Sequence, residues 1–353
     1  MTANTGSRRE APYTVARRTC AAFLSDHAHD TLPVSIDRSA VEAFRSEMDV
    51  EAIVAFGTSL ATDSNFTGLN ACDFGGSVDQ EAAWIVLTHA VDFGSGWRKA
   101  LHQHNHGKGA WLTIKAGVEA LFQMARKDSA TDLPATWLQS LARNKVATAF
   151  GIVDKSPELD RLVDYLWKVL LDLGAGIAPN YGSLQNLVAK ALGNDAASTT
   201  PAGDFVWLLV DLFPTTFDDT YTVHNQRVCF YKKAQLVTGE LYHRFRDQDA
   251  RFRFADGQQM TAFLDNVIVA ALRFKQIVVP NAPLTQAIEA GDDISMGSVE
   301  EVSLRAAALC AVDAIVQGTT LSSCELGNYL WGSLGKQKNV RQFARHSTKT
   351  LFY

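Results

Sequence analysis

The sequence predicts a mainly α-helical protein with one small β-hairpin, and three observations support this fold class. Apolar residues recur at three- and four-residue spacing through most of the chain, as in amphipathic helices. Several of these segments open on a helix cap, and two short stretches have β-type composition. The chain has 353 residues, of which 47% are hydrophobic and 20% charged, so it can bury a large core.

The helical pattern can be followed in order along the chain. It covers VARRTCAAFLSDHA, SAVEAFRSEM, DQEAAWIVLTHAVDF, AWLTIKAGVEALFQMARK, PATWLQSLARN, SPELDRLVDYLWKVLLDLG, YGSLQNLVAKALG, DFVWLLVDLF and SVEEVSLRAAALCAVDAIVQ. The clearest start is Ser156, Pro157 and Glu158, which supply an N-cap, a proline at the first helical position and an acidic first turn. We expect Gly174 to stop this helix.

Two stretches differ from the helical pattern. TYTVHNQRVCFY has two β-rich arms around His224, Asn225 and Gln226 and predicts a hairpin, whereas KQIVVP is either a buried strand or a helix end. Residues 1–14 are polar and are expected to be disordered. Residues 15–353 then form one domain, with 193–204 as a long surface loop.

Charge and cysteine usage exclude several classes of function. The net charge is −5 and the pI about 6.0, so long nucleic acid is not an expected partner, although a small phosphorylated ligand needs only one or two local cations. The five cysteines are widely spaced without a CxxC pair, which favours reduced thiols and a cytoplasmic protein. No apolar run approaches the roughly 20 residues of a membrane span, and no membrane association is expected.

The stretch HQHNHGKG has histidines at 102, 104 and 106 and could suggest a metal. In a helix His102 and His106 could share an ion, but no third carboxylate ligand follows, so no metal is expected. Gly107 and Gly109 instead predict a loop that leads into a helix N-terminus. Such an end favours anions, but a plain helix entry is the commoner outcome.

A second polar region is FPTTFDDTYTVHNQRVCFYKKAQLV. It contains Phe217 and Asp219 before the predicted hairpin and Lys232 and Lys233 after it. If the hairpin folds back, an aromatic ring, a carboxylate and a cation can face one pocket. Composition alone favours a solvated loop with a surface lysine pair.

Asp265 lies in MTAFLDNVIVAALRF, an apolar segment predicted to be a largely buried helix. A buried carboxylate is costly unless it is paired or used. Asp265 is therefore either a structural cap or a functional group in a desolvated site.

These motifs, in their order, resemble the queuosine salvage protein family, the queuosine 5′-phosphate N-glycosylases. The resemblance rests on VDFGSGW, GKGAW, FPTTFDD, FYKKAQL, FLDN, ISMGSVEEVSLRA and YLWGSL … HSTKTLFY, and it extends from about residue 15 to residue 353. It implies a fold similar to the helix-hairpin-helix DNA glycosylases. It also implies hydrolysis of queuosine 5′-monophosphate to queuine and ribose 5-phosphate, for reuse of queuine in tRNA modification, without a metal or organic cofactor.

The resemblance also implies roles for individual residues. Asp265 matches the catalytic aspartate, which would stabilise an oxocarbenium-like transition state and orient water. Phe217 and Asp219 match the positions that hold the base, by stacking and by accepting hydrogen bonds. Lys232, with Lys233 as its neighbour, would bind the 5′-phosphate.

The chain departs from the family pattern at two places. Asn266 replaces a tyrosine that lines the base pocket, and the polar pair that follows it is absent; we still expect Asn266 to contact substrate. Gly332 stands where the family has an acidic residue. These changes leave open a non-catalytic or re-specialised binder of a deazapurine or other modified nucleotide. A DNA or tRNA glycosylase is a third reading, which the acidic pI disfavours.

Overall fold

The computed structural model describes residues 9–27, 32–62, 69, 72–104, 107, 109–153, 156–192 and 198–353. The elements of the first part are α1 Pro12–Asp26, β1 Val34–Ile36, α2 Arg38–Glu47, α3 Val50–Thr62, α4 Val78–Ala90, α5 Arg98–His104, α6 Ala110–Lys127, α7 Ala135–Ser140, α8 Arg143–Ala149, α9 Pro157–Ile177 and α10 Leu184–Ala191. Those of the second part are α11 Pro201–Leu212, α12 Pro214–Phe217, β2 Thr220–Val223, β3 Gln226–Cys229, α13 Lys232–Phe245, α14 Asn266–Phe274, β4 Val278–Pro280, α15 Ala282–Ala290, α16 Val299–Val316, α17 Ser323–Gly332 and α18 Lys338–Gln342. Single 3₁₀ turns lie at Ser95–Trp97, Ala250–Phe252, Gly257–Gln259 and Leu334–Lys336.

The predicted mainly α fold is confirmed, while the likeness to helix-hairpin-helix DNA glycosylases stays a prediction. None of the described helices combines the length and apolarity that a membrane span needs. The division into a disordered 1–14 and one domain over 15–353 also stays a prediction. Residues 1–8 lie outside the described residues, and α1 begins at Pro12.

Helix α9 begins as predicted but does not end as predicted. The Ser156 hydroxyl accepts a hydrogen bond from the Leu159 amide at 3.2 Å, as an N-cap does. Gly174 does not stop the helix, which continues to Ile177. A Cβ at Gly174 would lie 2.8 Å from the Gln139 side chain and 3.1 Å from the Ala135 carbonyl oxygen. The glycine therefore allows α7 and α9 to pack closely.

Both β-type stretches form strands. β2 pairs antiparallel with β3, and His224 and Asn225 form the turn with φ of 49° and 62°, so the predicted hairpin is confirmed. KQIVVP contains β4, which pairs antiparallel with β1. At three residues each, these strands are too short to carry a readable alternation of apolar and polar residues.

The buried apolar side chains form two large clusters and one small one. The first large cluster centres on α4, α6 and α9, and the second on α14, α16 and the β1–β4 pair. Helix α4 is buried from Ala82 to Ala90, and packs against α10 and α13. Helix α16 is buried almost throughout and packs against α1. Each large core is thus built around one helix that has no solvent-facing side over most of its length.

A buried ion cluster links the hairpin, α16 and the end of the chain. Arg305 of α16 is completely buried, and its guanidinium donates two hydrogen bonds to Asp219, which is 1% exposed. It also donates to Glu301 at 3.3 Å. The Tyr353 hydroxyl donates to the same Glu301 oxygen at 3.0 Å, and lies 3.2 Å from Nε2 of His346. One cation therefore neutralises two carboxylates that water cannot reach.

Replacing Arg305 with Met should destabilise the fold strongly. Removal of the cation leaves the Asp219 and Glu301 carboxyl groups buried without it, and breaking a buried pair in this way costs about 3–5 kcal/mol. The free energy of unfolding from urea titration measures the effect. The matched control is Arg227→Met on the same hairpin, where the arginine side chain is 62% exposed, and its expected change is within about 0.5 kcal/mol. A similar small change for Arg305→Met would contradict this account of the cluster.

Candidate active site

A pocket of about 360 Å³ opens where the two large cores meet. Its walls come from the end of α4 and the turn after it, from α5, and from the first turn of α6. The starts of α13 and α14, helix α17 and the chain after α18 complete it. Polar side chains from distant parts of the sequence meet there, as in small-molecule sites.

Asp265 lies in the pocket wall and is the N-cap of α14. Its Oδ1 accepts hydrogen bonds from the amides of Val267 at 2.8 Å and Ile268 at 3.0 Å. Its Oδ2 accepts one from the indole N–H of Trp331 at 2.9 Å. The carboxylate is therefore fixed on both oxygens. The expectation that Asp265 lies within a helix is corrected, because α14 begins only at Asn266.

The electrostatic surroundings of Asp265 act in opposite directions. Burial raises the pKa of the carboxyl group, and this effect is larger than the lowering by the Lys232 cation, the capped amides and Arg345. A carboxylate with a raised pKa and fixed oxygens is suited to act as a general base or to stabilise developing positive charge.

Lys232 is the first residue of α13 and also lines the pocket. Its side chain is 6% exposed, and Nζ lies 3.7 Å from an oxygen of Asp92. Tyr231, just before it, has φ 52° and ψ 35°, a left-handed conformation that a non-glycine residue adopts at a cost. The positive end of a helix dipole is also unfavourable for a lysine. The fold therefore keeps a cation near Asp265 although the backbone conformation of Tyr231 and the helix dipole both disfavour it.

Lys233 does not reach the pocket wall. It is 1% exposed, its Nζ donates to the Ala90 carbonyl oxygen at 2.7 Å, and the Phe93 ring centroid lies 5.0 Å away. Burial and the neighbouring Lys232 lower the pKa of Lys233 to about 7. Composition favoured a surface lysine pair, and this prediction is wrong for both residues because both are buried.

Phe217 and Asp219 lie behind the pocket wall instead of lining it. Phe217 is completely buried, and its ring centroid is 5.8 Å from Nζ of Lys233. Both oxygens of Asp219 are bound by Arg305. The acidic and basic segments around the hairpin are thus close together, but of the four residues only Lys232 lines the pocket.

Asn266 lines the pocket and is 4% exposed. Its amide nitrogen donates to the His346 carbonyl oxygen at 3.2 Å, so it ties α14 to the C-terminal segment. The other departure from the family pattern, Gly332, is not among the lining residues. A Cβ there would lie 2.5 Å from the Phe56 ring, which leaves no room for an acidic side chain.

His89 is a pocket residue that the sequence patterns missed. It is 2% exposed at the end of α4, and neither ring nitrogen has a hydrogen-bond partner among the described residues. Burial lowers its pKa to about 4, so near neutral pH the imidazole is uncharged and offers one donor and one acceptor. Its position two residues before VDFGSGW, in a helix of buried residues, gave no polar pattern that could have revealed it.

The histidine-rich stretch has a different structure from the predicted loop. His102 and His104 belong to α5 and not to a loop before α6, while His106 and Lys108 lie outside the described residues. His102 lines the pocket. Gly109 is the N-cap residue of α6, so the predicted helix entry is confirmed. In the described part of the chain, no three metal-binding side chains lie together.

The motif VDFGSGW positions one side of the pocket. Gly94 has φ 116°, a conformation that glycine adopts without strain. At Gly96 the C-terminal segment crosses so closely that a Cβ would lie 2.1 Å from the Thr348 carbonyl oxygen. The two glycines therefore let the chain turn beneath the segment that carries Arg345 and Tyr353, both of which line the pocket.

Comparison with known proteins identifies the family. A family profile described as "Queuosine salvage protein" matches residues 75–353, which contain every pocket residue named above. The chain belongs to the queuosine salvage protein family. Its pocket is thus formed entirely by the part of the chain that matches this family, whereas α1, α2 and α3 precede that part.

Two curated relatives carry the same name, "Queuosine 5'-phosphate N-glycosylase/hydrolase". The protein from Sphaerobacter thermophilus is 27% identical over 224 residues, which are 62% of this chain and 65% of the relative. The protein from Dictyostelium discoideum is 27% identical over 180 residues, which are 49% of this chain and 52% of the relative. The match therefore spans less than two thirds of either relative.

Replacing Lys233 with Met should change how stability depends on pH. Its pKa is about 7 in the folded protein and about 10.4 in an unfolded chain, so the unfolded state binds more protons between these values. The destabilisation from Lys233 is then complete below pH 7 and disappears as the pH rises toward 10. Relative to wild type, Lys233→Met should be most stable at pH 6 and lose this advantage by pH 10.

Urea titrations at several pH values measure this difference in unfolding free energy. The control is Lys168→Met, which removes an exposed lysine from α9. Its difference from wild type should stay constant with pH, because that side chain is solvated in both states. A constant difference for Lys233→Met would mean that the buried lysine does not exchange its proton on unfolding.

Proposed function

We propose that this chain hydrolyses the N-glycosidic bond of queuosine 5′-monophosphate and releases queuine and ribose 5-phosphate. Membership of the family and the names of the two relatives support this substrate. The observation that carries the proposal is the Asp265 carboxylate, fixed on both oxygens in the wall of a largely apolar pocket. Released queuine would then be available for tRNA modification.

The reaction needs little covalent chemistry from the protein. The bond between C1′ of the ribose and the glycosidic nitrogen breaks, and its electron pair stays on the base. A water oxygen bonds to C1′, and the proton balance leaves one water proton on the base. Positive charge develops on the sugar as the bond breaks, so a nearby carboxylate stabilises the transition state more than the ground state. No metal or organic cofactor is needed for these steps.

In this proposal Asp265 acts at the sugar. Its remaining lone pair, on Oδ2, orients the attacking water or accepts its proton, while the capping hydrogen bonds prevent the carboxylate from turning away. Burial lowers the local dielectric constant and so strengthens the attraction between the carboxylate and the developing cation. Lys232 and Asp92, 3.7 Å apart, form the adjacent charged edge of the site.

The neutral His89 and Asn266 supply hydrogen-bonding groups for the base and sugar edges. His89 has both nitrogens available among the described residues, which suits a flat heterocycle with donors and acceptors on its rim. We propose that Phe217, Asp219 and Lys233 act from behind the wall by fixing α13 and the hairpin. Direct stacking of the base on Phe217 would require that ring to move, because it is completely buried.

A small nucleotide fits the charge of the protein better than long nucleic acid. The net charge is −5, which disfavours a polyanionic partner. The five cysteines are all unpaired, and free thiols support a reducing, cytoplasmic location.

Asp265→Asn should abolish base release while leaving the fold intact. Asparagine caps helices about as well as aspartate, so its side-chain oxygen can keep the bonds to α14. The substitution removes the charge and the acceptor for the Trp331 indole N–H. We expect kcat to fall by about 10²–10⁴, the range for a lost general base or electrostatic group. Chromatography of free queuine measures the rate, and thermal unfolding checks the fold.

The matched control is Asp37→Asn at the N-cap of α2. Asp37 accepts from the Ser39 and Ala40 amides at 2.8 and 3.0 Å, much as Asp265 does in α14, but it is not in the pocket. Its replacement should leave base release unchanged. If wild-type protein binds the nucleotide and returns it whole, the alternative of a non-catalytic binder is correct and the hydrolase proposal fails.

The rate should fall in acid at a higher pH than for an ordinary aspartate. Only the ionised carboxylate can act, and burial raises the pKa of Asp265. The Lys232 cation lowers that pKa, so Lys232→Met should move the acid limb of the kcat/KM profile to still higher pH. A shift to lower pH, or no shift, would show that Asp265 is not the group that controls this limb.

A further inference from the structure

Three arginines meet at the pocket without a counter-ion. Arg98 begins α5, Arg341 lies in α18, and Arg345 follows four residues later; all three line the pocket. None of the three guanidinium groups has a carboxylate within 4.0 Å or a side-chain hydrogen bond among the described residues. Lys232 differs from them, because Asp92 lies 3.7 Å from its Nζ.

Of the three arginines, Arg345 has the clearest features of an anion-binding residue. It is half-buried, and its Nε is shielded from solvent without a hydrogen-bond partner among the described residues. Burial together with repulsion from Arg98 and Arg341 lowers its pKa, and the attraction of Asp265 only partly opposes this. Cations that repel one another in a pocket gain most from a bound anion.

The start of α6 opens on the same pocket. Gly109, Ala110 and Trp111 are lining residues, and this 18-residue helix has no side-chain cap at its N-terminus. Its first amides and its dipole therefore favour an anion there. His102 is close to this end, since a Cβ on Gly109 would lie 3.3 Å from His102 Nε2.

We propose that Arg98, Arg341 and Arg345, beside the start of α6, bind the 5′-phosphate of the substrate. This rests on the proposed hydrolysis of a nucleoside 5′-monophosphate. It assigns the phosphate to the arginines instead of to Lys232 and Lys233, which the sequence had suggested. Lys232 already faces Asp92, and Lys233 is buried on the Ala90 carbonyl group. Arginine can also bind phosphate through two parallel hydrogen bonds, which lysine cannot.

The site would place the phosphate on one side of Asp265. The Asp265 carboxyl group is within electrostatic range of both Lys232 and Arg345, while the main charged neighbours of Arg345 are Arg98, Asp265 and Arg341. A nucleotide bound in this way has its ribose near Asp265 and its base toward Lys232 and His89. Phosphate binding then positions C1′ at the carboxylate.

Binding of ribose 5-phosphate and of ribose, measured by calorimetry, tests the site without requiring catalysis. Wild-type protein should bind ribose 5-phosphate at least about tenfold more tightly than ribose. Arg345→Gln and Arg98→Gln should each remove about tenfold or more of that preference, because a hydrogen bond to a charged group has about this value. The double variant should keep at most the small preference that Arg341 and the start of α6 supply, and thermal unfolding confirms that the variants are folded.

Two controls separate this site from its alternatives. Arg126→Gln removes an exposed arginine from the opposite end of α6 and should leave the preference unchanged. Lys232→Met should also keep the preference. If Lys232→Met loses it and the arginine variants keep it, or if wild type shows no preference, the assignment is wrong. Because product binding is measured, failure of hydrolysis alone would overturn the proposed function and not this site.

Discussion

The buried pairing of Arg305 with Asp219 and Glu301 is the constraint on which the rest of the site depends. Asp219 lies at the start of the hairpin, Glu301 and Arg305 lie on α16, and Tyr353 joins through Glu301. Because these charges are inaccessible to water, each must keep its partner for the fold to be stable. The hairpin and the C-terminal segment are therefore held to the same helix, and that segment covers Gly96 and forms one wall of the pocket.

The position of Lys232 also depends on the buried cluster of Arg305, Asp219 and Glu301. Tyr231 is in a left-handed conformation, and two lysines occupy the positive end of α13, both of which are locally unfavourable. Asp219 accepts a backbone hydrogen bond from the Phe230 amide through its own carbonyl oxygen at 2.9 Å, so the anchored hairpin fixes the residue just before the strained turn. Such strain persists when neighbouring interactions over-determine the backbone, and here they hold a cation next to Asp265.

Features of the fold and site that depend on residues close together in the sequence were predictable, whereas features that depend on residues far apart were not. Helix α6 and the Ser156 start of α9 were predictable, because periodicity and caps act within a few residues. Gly174 was misread because its reason is the neighbouring helix α7. The importance of Asp265 followed from its apolar surroundings, but its bond to Trp331 joins residues 66 apart. Phe217 and Asp219 were recognised as special, yet only the fold reveals that Arg305 occupies the Asp219 carboxylate.

The three arginines of the pocket could not be recognised from the sequence either. Arg98, Arg341 and Arg345 are unremarkable in a chain with 33 basic residues and a net charge of −5. The fold brings them to one pocket, where the described lining side chains include four cations, with Lys232, and two carboxylates, Asp92 and Asp265. We expect this local excess to favour a dianionic ligand although the protein as a whole is acidic, because nearby charges in a partly desolvated pocket outweigh distant screened ones. Lys232 and Arg345 also partly offset the effect of burial on the pKa of Asp265, so one of the proposed phosphate-binding arginines helps to keep this carboxylate ionised.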